Sequence, residues 1–320
     1  MRTLADFNYS GKSVLLRCDL NVPLDGNIIT DDGRIKASLP TIQYLLDAGA
    51  RITILAHLGR PKNGFEPAFS LAPVANRLSE LLNEPVKLAK DLVELSATPK
   101  EMHRVRMLEN IRFFSQETSK EEQERVLFAT QLAQLGEIYV GDGFGAVHRK
   151  HASVYELPNL LPNVAGRLIE AEVAVLKKLT VDPVRPYAVV LGGAKVADKI
   201  GVISNLLEKV DLLAIGGGMV FTFISALGHQ IGKSMIDPEL IENVKGLIKR
   251  AEELNVKLLL PTDVVVAPTF SKEAPATVVA VNDIPADQIG LDIGPDSAKA
   301  YALALQGCET VFLEWPYGRF

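Results

Sequence analysis

The chain has 320 residues, of which 48% are hydrophobic, and this size favours two domains with sizeable cores. Its 34 basic and 39 acidic residues leave a net charge of −5 at pH 7, which excludes the strongly basic character of a protein that binds nucleic acid or a membrane surface. Any anionic ligand must therefore be held by a local cluster of cations.

The sequence predicts neither export nor membrane insertion. Residues 1–14 carry charges where a signal peptide needs an apolar run. The longest uncharged stretch, 212–228, contains three consecutive glycines, which favour a strand, a turn and a buried helix over a membrane span. The cysteines, Cys18 and Cys308, form neither a CxxC pair nor a metal-ligand set, and a reducing cytoplasm fits them best.

The first predicted strand, residues 13–18, runs directly into polar residues, and Pro23 ends its ladder. Asp19 and Asn21 therefore lie at a strand end, where they could bind the hydroxyl groups of a ligand. The alternative is that they only form a turn, which Asp and Asn after a strand more often do.

A loop with Arg34 then leads into an amphipathic helix that closes at Gly49, and a second strand follows at 51–56. This strand ends at the sequence His57-Leu58-Gly59-Arg60, again placing polar residues just past a carboxyl end. In open parallel sheets ligands bind at that edge.

The rest of the first half continues the alternation of helix and strand. Helices are predicted at 70–83 and 119–135, and strands at 86–90, within 103–114 and up to about Val140. This pattern predicts a parallel α/β domain. A single arginine is more often a surface charge than a ligand, but four arginines fall in strand-end loops: Arg34, Arg60, Arg112 and Arg149.

A proline-bounded segment at 158–162, followed by a long helical pattern at 168–179, marks the predicted domain boundary. The domains are expected at residues 1–165 and 166–320. Strands and helices alternate again in the second half, with strands predicted within residues 187–191, 212–218, 256–267, 276–281 and 310–315.

Residues 189–203 predict a strand, a glycine turn and a helix. Gly192 and Gly193 would let the backbone approach a phosphate at the positive end of that helix. Lys195 and Lys199, four residues apart, are expected to share one helical face. A packing turn with two solvated lysines explains the same pattern equally well.

Two other glycine motifs are weaker. Residues 141–146, GDGFGA, fit the GxGxxA dinucleotide pattern and suggest a nicotinamide-dependent dehydrogenase as a rival, although "HRKHAS" interrupts the expected helix. Residues 228–234, GHQIGKS, are one residue too short for a Walker loop. The sequence offers no catalytic triad or HExxH motif, but phosphoryl transfer needs mainly positioning and charge neutralisation.

At this point the chain closely resembles the phosphoglycerate kinase family. The segments that carry the resemblance occur in the family's order and cover nearly the whole chain: RCDLNVP, DDGRIKASLPTI, HLGRP, LENIRF, GFGAVHRKHAS, LGGAKVADKI, IGGGM, GKS and GLDIGP. The resemblance implies two Rossmann-like parallel-sheet domains joined by a hinge helix.

The resemblance also implies the ligands and the residues that bind them. The first domain would bind 3-phosphoglycerate or 1,3-bisphosphoglycerate, the second would bind ATP or ADP with Mg²⁺, and closure about the hinge would bring them together. The substrate-binding residues implied are Asp19, Leu20, Asn21, Arg34, His57, Leu58, Gly59, Arg60, Arg112 and Arg149. The nucleotide-binding residues implied are Gly192, Gly193, Lys199, Gly216, Gly217 and Gly290, and the catalytic ones are Arg34, Lys195 and Lys199.

The last ten residues, VFLEWPYGRF, depart from the family's W-N-G-P-x-G-V-F-E segment. Leu313, Glu314 and Trp315 replace its tryptophan, asparagine and glycine, and only Pro316, Gly318 and Phe320 keep the register. The family's later GGGDT and TGGGA segments do not follow. We therefore expect a truncated chain with an incomplete second domain, and a magnesium ligand that lies beyond its end.

The expected function is a glycolytic phosphoglycerate kinase, which reversibly transfers a phosphoryl group between 1,3-bisphosphoglycerate and ADP. The alternative is an inactive remnant that binds 3-phosphoglycerate without catalysis. A cytoplasmic monomer is expected, with small-molecule substrates as its only partners and no nucleic acid or membrane.

Overall fold

The computed structural model describes residues 1–62, 64–98, 102–271 and 273–314. The chain divides into two compact units, residues 1–175 (unit 1) and residues 176–320 (unit 2). The predicted boundary after residue 165 stays a prediction, and the division between the units falls further along the chain, inside a helix that spans Arg167–Thr180.

Unit 1 is built on a six-stranded parallel sheet. Its strands in chain order are β1 (Ser13–Cys18), β2 (Leu24–Asp25), β3 (Ile28–Ile29), β4 (Arg51–Leu55), β5 (Val86–Ala89), β6 (Val105–Leu108), β7 (Ile138–Asp142) and β8 (Asn163–Ala165). Its helices are α1 (Gly33–Asp47), α2 (Ala72–Leu82), α3 (Leu92–Ala97), α4 (Glu122–Ala133) and α5 (Arg167–Thr180). The sheet order is β5-β6-β4-β1-β7-β8, and β2 pairs with β3 in a separate hairpin.

Helices cover both faces of this sheet, which explains why its strands read as continuous apolar runs. All six residues of β1 are buried. Leu16 packs into one core with Ile42 of α1, whereas the adjacent Leu15 packs into the opposite core with Phe128 of α4. The parallel α/β architecture predicted for this half is confirmed.

Unit 2 contains two sheets. Its strands are β9 (Tyr187–Leu191), β10 (Leu212–Ile215), β11 (Lys257–Leu259), β12 (Asp263–Ala267), β13 (Thr277–Ala280), β14 (Ile289–Ile293) and β15 (Thr310–Glu314), and its helices are α6 (Ile200–Leu207), α7 (Val220–Ala226), α8 (Ile241–Glu253) and α9 (Pro295–Leu305). The parallel sheet has the order β11-β10-β9-β15, as an α/β unit requires. The antiparallel sheet, β13-β12-β14, is an addition that the sequence did not predict.

The prediction of a single strand within residues 256–267 is wrong. These residues form two strands in different sheets, since β11 pairs with β10 and β12 pairs with β13 and β14. Pro261 lies between them and has no amide hydrogen to donate to a ladder, so it ends the first strand.

The helix predicted directly after Gly192 and Gly193 begins later than expected. α6 starts only at Ile200, and Lys195 lies in the intervening loop, so the prediction that Lys195 and Lys199 share a helical face is wrong. The loop is instead held by tertiary contacts: Val196 is buried in the core, and the amide of the residue after it donates to a buried aspartate 3.1 Å away.

Two motifs set aside from the sequence have the structures expected of them. The GDGFGA segment begins in the last two residues of β7 and continues into a single 3-10 turn at Phe144–Ala146, not the helix that a dinucleotide site requires. Residues 212–228 form β10, a glycine turn and the buried helix α7. Among the residues that the structure describes, no helix is long and apolar enough to span a membrane.

Candidate functional site

The predicted ligand residues of unit 1 follow the carboxyl ends of four neighbouring strands. β6, β4, β1 and β7 are adjacent in the sheet. Asp19 follows β1, His57 follows β4, the turn with Arg112 follows β6, and the loop with Arg149 follows β7. Because these strands are parallel, the four loops meet at one edge of the sheet, as the sequence predicts. We call this edge the arginine edge.

Arg34, near the start of α1, forms an ion pair with Asp19. The carboxylate of Asp19 is almost buried, while about half of the Arg34 side chain (52%) is exposed to solvent. The amide of Asn21 also donates to Asp19 Oδ1 at 3.3 Å. A side chain at Gly145 would overlap the Asp19 carboxylate and displace it from its pairing with Arg34. Gly145 is a site residue that the sequence reasoning missed.

The backbone of Gly59 is hydrogen-bonded to side chains from two other loops. Its amide donates to Asn21 Oδ1 at 2.7 Å, and its carbonyl accepts from Arg112 Nη1 at 2.7 Å. Gly59 has a φ of +57°, and a Cβ there would overlap the ring of Phe69. Three strand-end loops are thus tied together through one glycine.

Two buried side chains behind this loop were also missed from the sequence. Asn110 Nδ2 donates to the carbonyl oxygens of Leu58 and Phe69, at 2.7 and 2.9 Å. Glu109 Oε1 accepts from the amides of Leu71 and Asn110, both at 2.7 Å. Both residues belong to the LENIRF segment, and this motif is the only feature of the sequence that could have pointed to them.

Leu20 and Leu58 stand in the predicted substrate loops, but their side chains are buried in the hydrophobic core. They can therefore contribute only backbone groups to a ligand. Leu58 already uses its carbonyl to hold Asn110.

His57 is neutral because of its surroundings. Its pKa is lowered to about 2, first by burial and then by the positive charges of Arg17 and Arg112. Arg17 Nη2 lies 3.1 Å from His57 Nδ1, and since an arginine can only donate, Nδ1 accepts and the ring proton is on Nε2. Arg17 is buried in β1, and the sequence reasoning did not single it out.

The arginine edge holds several positive charges close together. The pKa of Arg112 is lowered by burial and then by the like charges of Arg149 and Arg17. Its Nε is buried without a hydrogen-bond partner. Within the described residues, Arg60 and Arg149 form no ion pair. Crowded cations with spare donors fit an anionic group such as phosphate or carboxylate.

In unit 2 the predicted glycines pack against one another. A Cβ at Gly217, which has a φ of +68°, would lie 2.8 Å from the carbonyl oxygen and 2.9 Å from the nitrogen of Gly193. Only glycine allows the turns after β9 and β10 to approach this closely.

Most of these glycine amides already have acceptors. Gly192 donates to the carbonyl of Glu314, Gly216 to that of Leu191, and Gly217 to Asp292 Oδ1 at 2.8 Å. They therefore shape the turns but do not present these amides to a phosphate. Asp292, which also accepts from the amide of Ile293, was missed from the sequence.

The two predicted lysines of unit 2 differ in whether they form an ion pair. Lys199, at the N-cap of α6, forms a close ion pair with Glu314 at the end of β15. Lys195 is exposed in the loop before α6. Gly290 lies buried in β14, where a Cβ would overlap the Phe221 ring, so packing explains this glycine. Trp315, Pro316, Gly318 and Phe320, on which the sequence comparison at the chain end rests, lie outside the described residues.

The described residues contain no cluster of side chains that would hold a metal ion without a bound substrate. Among them, no group of three or more His, Cys, Asp and Glu side chains could hold a metal. The expectation that a magnesium ligand lies beyond the chain stays an expectation.

Comparison with known proteins gives consistent matches over the whole chain. The family model described as phosphoglycerate kinase matches residues 4–320. The phosphoglycerate kinase of Streptomyces griseus is 55% identical over 320 residues, which cover 97% of this chain and 79% of that protein. The phosphoglycerate kinase of Streptomyces coelicolor gives the same identity and coverage.

Comparison with solved structures gives matches of the same kind. The phosphoglycerate kinase from Coxiella burnetii superposes with a TM-score of 0.82 at 38% identity, covering 99% of this chain and 80% of its own. The enzyme from Pyrococcus horikoshii gives a TM-score of 0.77 at 28% identity, with 99% and 81% covered.

Proposed function

Because the chain belongs to the phosphoglycerate kinase family, we propose that its arginine edge binds 3-phosphoglycerate or 1,3-bisphosphoglycerate and that unit 2 binds ADP or ATP. The family's reaction is the reversible transfer of a phosphoryl group between 1,3-bisphosphoglycerate and ADP, a step of glycolysis that gives 3-phosphoglycerate and ATP. These relatives give the alternative, a remnant that binds 3-phosphoglycerate without catalysis, no support over the kinase function.

One observation carries the substrate proposal. Arg112 has a buried Nε without a partner, and the neighbouring positive charges of Arg149 and Arg17 lower its pKa. Holding like charges together costs free energy, and a bound phosphate would offset that cost. We assign the phosphate end of the substrate to His57, Arg60, Arg112 and Arg149.

The remaining unit 1 residues suit the other end of the substrate. The carboxylate of Asp19 can accept from a hydroxyl group, and Asn21, which holds Gly59, lies beside it. Arg34 keeps about half of its side chain (52%) exposed while paired with Asp19, so it can turn towards the reacting carboxyl and the phosphoryl group in transfer.

In unit 2 we assign the nucleotide phosphates to Lys199 and the phosphoryl group in transfer to Lys195. The glycines Gly192, Gly193, Gly216 and Gly217 would shape the pocket, and Gly290 would support it through packing. Glu314 competes with a phosphate for Lys199, because it already takes one of the three donors of the ammonium group and offsets its charge.

This chemistry needs no general base. The donor and acceptor oxygens are carboxylate and phosphate oxygens, so no proton has to leave the nucleophile. The arginine and lysine side chains lower the repulsion between the two anions and stabilise the charge of the transferring group. Mg²⁺ accompanies the nucleotide in the family, where the phosphates supply part of its coordination, and the assignments above do not involve it.

The test is steady-state transfer from ATP with Mg²⁺ to 3-phosphoglycerate by the full chain, with 1,3-bisphosphoglycerate formation coupled to NADH oxidation. We expect Arg34→Ala to lower kcat at least about 100-fold, the size of effect found when one preorganised charge-stabilising group is removed. Arg104→Ala, a matched change next to the opposite end of β6, should leave kcat unchanged.

Three results would contradict the proposal. Undiminished turnover by Arg34→Ala would refute the role of that residue. A folded chain that binds 3-phosphoglycerate but shows no turnover would favour the remnant. Saturable NADH binding that 3-phosphoglycerate does not affect would instead support the dehydrogenase suggested by GDGFGA.

We also propose that the chain acts in the cytoplasm, because the reaction of its relatives is glycolytic. The substrates are its only proposed partners. A monomeric state stays a prediction, which sedimentation velocity would test.

A further inference from the structure

A buried acid lies behind the arginine edge, outside the residues assigned above. Glu117, in the one-turn helix Ser115–Thr118 that follows β6, is fully buried. Its Oε1 accepts from Ser153 Oγ at 2.6 Å and its Oε2 from the Ser153 amide at 2.9 Å. Ser153 is itself fully buried, in the π-helical turn Ala152–Glu156. A buried carboxylate is costly unless it is hydrogen-bonded in this way.

Ser153 connects this acid to Arg17. Arg17 Nε donates to Ser153 Oγ at 2.9 Å, and Nη2 approaches His57 Nδ1 at 3.1 Å. Nη1 donates to the carbonyl of Cys18. The guanidinium group is therefore held by three partners on different atoms. Only one of them, His57, belongs to the proposed substrate site.

Glu117 sets the direction of the Ser153 hydroxyl, and Arg17, which can only donate, sets the direction of the other two hydrogen bonds. An ionised Glu117 can only accept, so the Ser153 hydroxyl hydrogen must point towards it. The hydroxyl oxygen is then left as an acceptor for Arg17 Nε. Arg17 can only donate, so it meets the unprotonated Nδ1 of His57 and leaves the proton on Nε2.

We propose that Glu117 and Ser153 are positioning residues which, through Arg17, fix the orientation and tautomer of His57 at the substrate phosphate site. This inference rests on the proposed function for its effect on substrate binding. The relay itself, from Glu117 through Ser153 and Arg17 to His57, is a property of the ligand-free chain.

The charged surroundings of Glu117 support this role. Arg17 of β1 and Arg112 act on it as positive charges, and Nδ1 of His151 lies 3.8 Å from its Oε1. Tyr139 of β7 donates to the Ser153 carbonyl at 2.9 Å. Helix α4 packs against the short helix that contains Glu117, but its Arg125 is already paired with Glu156 at 2.6 Å.

The pKa of Glu117 reflects the same surroundings. Burial raises it to about 7, while Arg17 and the Ser153 hydrogen bonds act to lower it. The group that orients Ser153 is thus ionised above neutral pH.

The direct test is long-range ¹H–¹⁵N NMR of the histidine rings in the full, ligand-free chain at pH 8. There are five histidines, and His57→Gln identifies the His57 signals. In the wild type we expect a single Nε2–H tautomer with Nδ1 as acceptor. Ser153→Ala should convert these signals to mixed tautomers, and Ser153→Thr, which keeps the hydroxyl, should restore them. An unchanged His57 spectrum in Ser153→Ala would overturn the relay.

Glu117→Gln provides a second route if Ser153→Ala does not fold. It keeps the volume but removes the negative charge that attracts Arg17, so Arg17 should be held less firmly and the His57 signals should again shift. Glu121→Gln, an exposed change in the next turn of the chain, is the matched control and should leave the spectrum as it is. A His57 spectrum in Glu117→Gln that is identical to the wild type would also overturn the relay.

Kinetics separates this inference from the proposed function. Ser153→Ala should raise the KM for 3-phosphoglycerate about tenfold, the loss expected for one hydrogen bond to a charged group, and leave the KM for ATP unchanged. If both KM values rise together, Ser153 is only structural and the positioning role is wrong. If the NMR relay is intact but 3-phosphoglycerate does not bind to the wild type, the proposed function fails instead.

Discussion

The arginine edge of unit 1 and the glycine turns of unit 2 are built in different ways. At the arginine edge, buried side chains such as Asn110 and Arg17 hold the loops in place through hydrogen bonds. In unit 2, backbone atoms of Gly193 and Gly217 pack directly against one another, and the main cation, Lys199, is paired with Glu314. The arginine edge is therefore preorganised by buried side chains, and its arginines keep free hydrogen-bond donors. The glycine turns are preorganised by backbone packing, and their lysine, Lys199, is already paired with a carboxylate.

The largest effect should come from adding a side chain between the glycine turns. In Gly217→Ala, the new Cβ would meet the Gly193 backbone at 2.8 Å, and the residue would also hold a positive φ, so the free energy of unfolding should fall by about 4 kcal/mol. Urea denaturation measures this. Gly228→Ala, which has a positive φ but open space, separates strain from overlap. Equal losses in the two variants would show that the close backbone packing is unimportant.

The next effect is a change of stability with pH. Glu117 has a pKa of about 7 when folded, well above the 4.5 of an exposed glutamate, so the folded chain binds its proton more tightly and this group stabilises the fold below about pH 4.5. That contribution is lost as the pH rises through 7. Relative to the wild type, Glu117→Gln should therefore gain up to about 3 kcal/mol between pH 4.5 and pH 8.

Measuring unfolding free energy at several pH values gives this difference directly. His57 and His151, whose pKa values are lowered, act in the opposite direction below pH 6.5 and are present in both chains. Glu121→Gln should show no such trend. If the difference in unfolding free energy between Glu117→Gln and the wild type did not depend on pH, burial would not raise the pKa of Glu117.

A smaller loss is expected at the corresponding glycine of the arginine edge. In Gly59→Ala, the Cβ would overlap a side chain, Phe69, which can turn away more easily than backbone can. We expect a loss of about 2 kcal/mol in unfolding free energy, mostly from the positive φ. Gly11→Ala, with a positive φ and no neighbour within 4 Å, is the control. A loss larger than that of Gly217→Ala would reverse the comparison between the two sites.

The smallest effect should be a gain. Glu314→Gln removes the negative charge that competes for Lys199, so the chain should bind ADP about tenfold more tightly, or about 1.4 kcal/mol. Isothermal titration calorimetry measures it, with the exposed Glu309→Gln as the control. Weaker ADP binding by Glu314→Gln would show that the ion pair helps to shape the nucleotide site.

The sequence predicted the arginine edge well because that site depends on strand order. Once β1, β4, β6 and β7 are parallel neighbours, Asp19, His57, Arg112 and Arg149 must share an edge. It did not predict Arg17 or Glu117, because a buried charge within a strand or a short turn has no periodic signature. Their roles depend on contacts such as Arg17 with Ser153, 136 positions away in the chain.

Unit 2 was harder to predict for a related reason. The spacing of Lys195 and Lys199 fits a helix, but Val196 is drawn into the core and Ala197 is held by Asp237, so the loop continues to Lys199. The long apolar segment at 256–267 likewise gives no sign that its halves belong to different sheets, apart from Pro261. Local pattern identifies apolar segments, but tertiary partners decide where each one begins and ends.

The most direct test of the central claim is isothermal titration calorimetry of the full chain with 3-phosphoglycerate and, separately, with ADP. We predict that Arg112→Gln weakens 3-phosphoglycerate binding at least about tenfold and leaves ADP binding unchanged, whereas Lys199→Gln does the reverse. If Arg112→Gln bound 3-phosphoglycerate as tightly as the wild type while remaining folded, the assignment of the phosphoglycerate site to the arginine edge would be wrong.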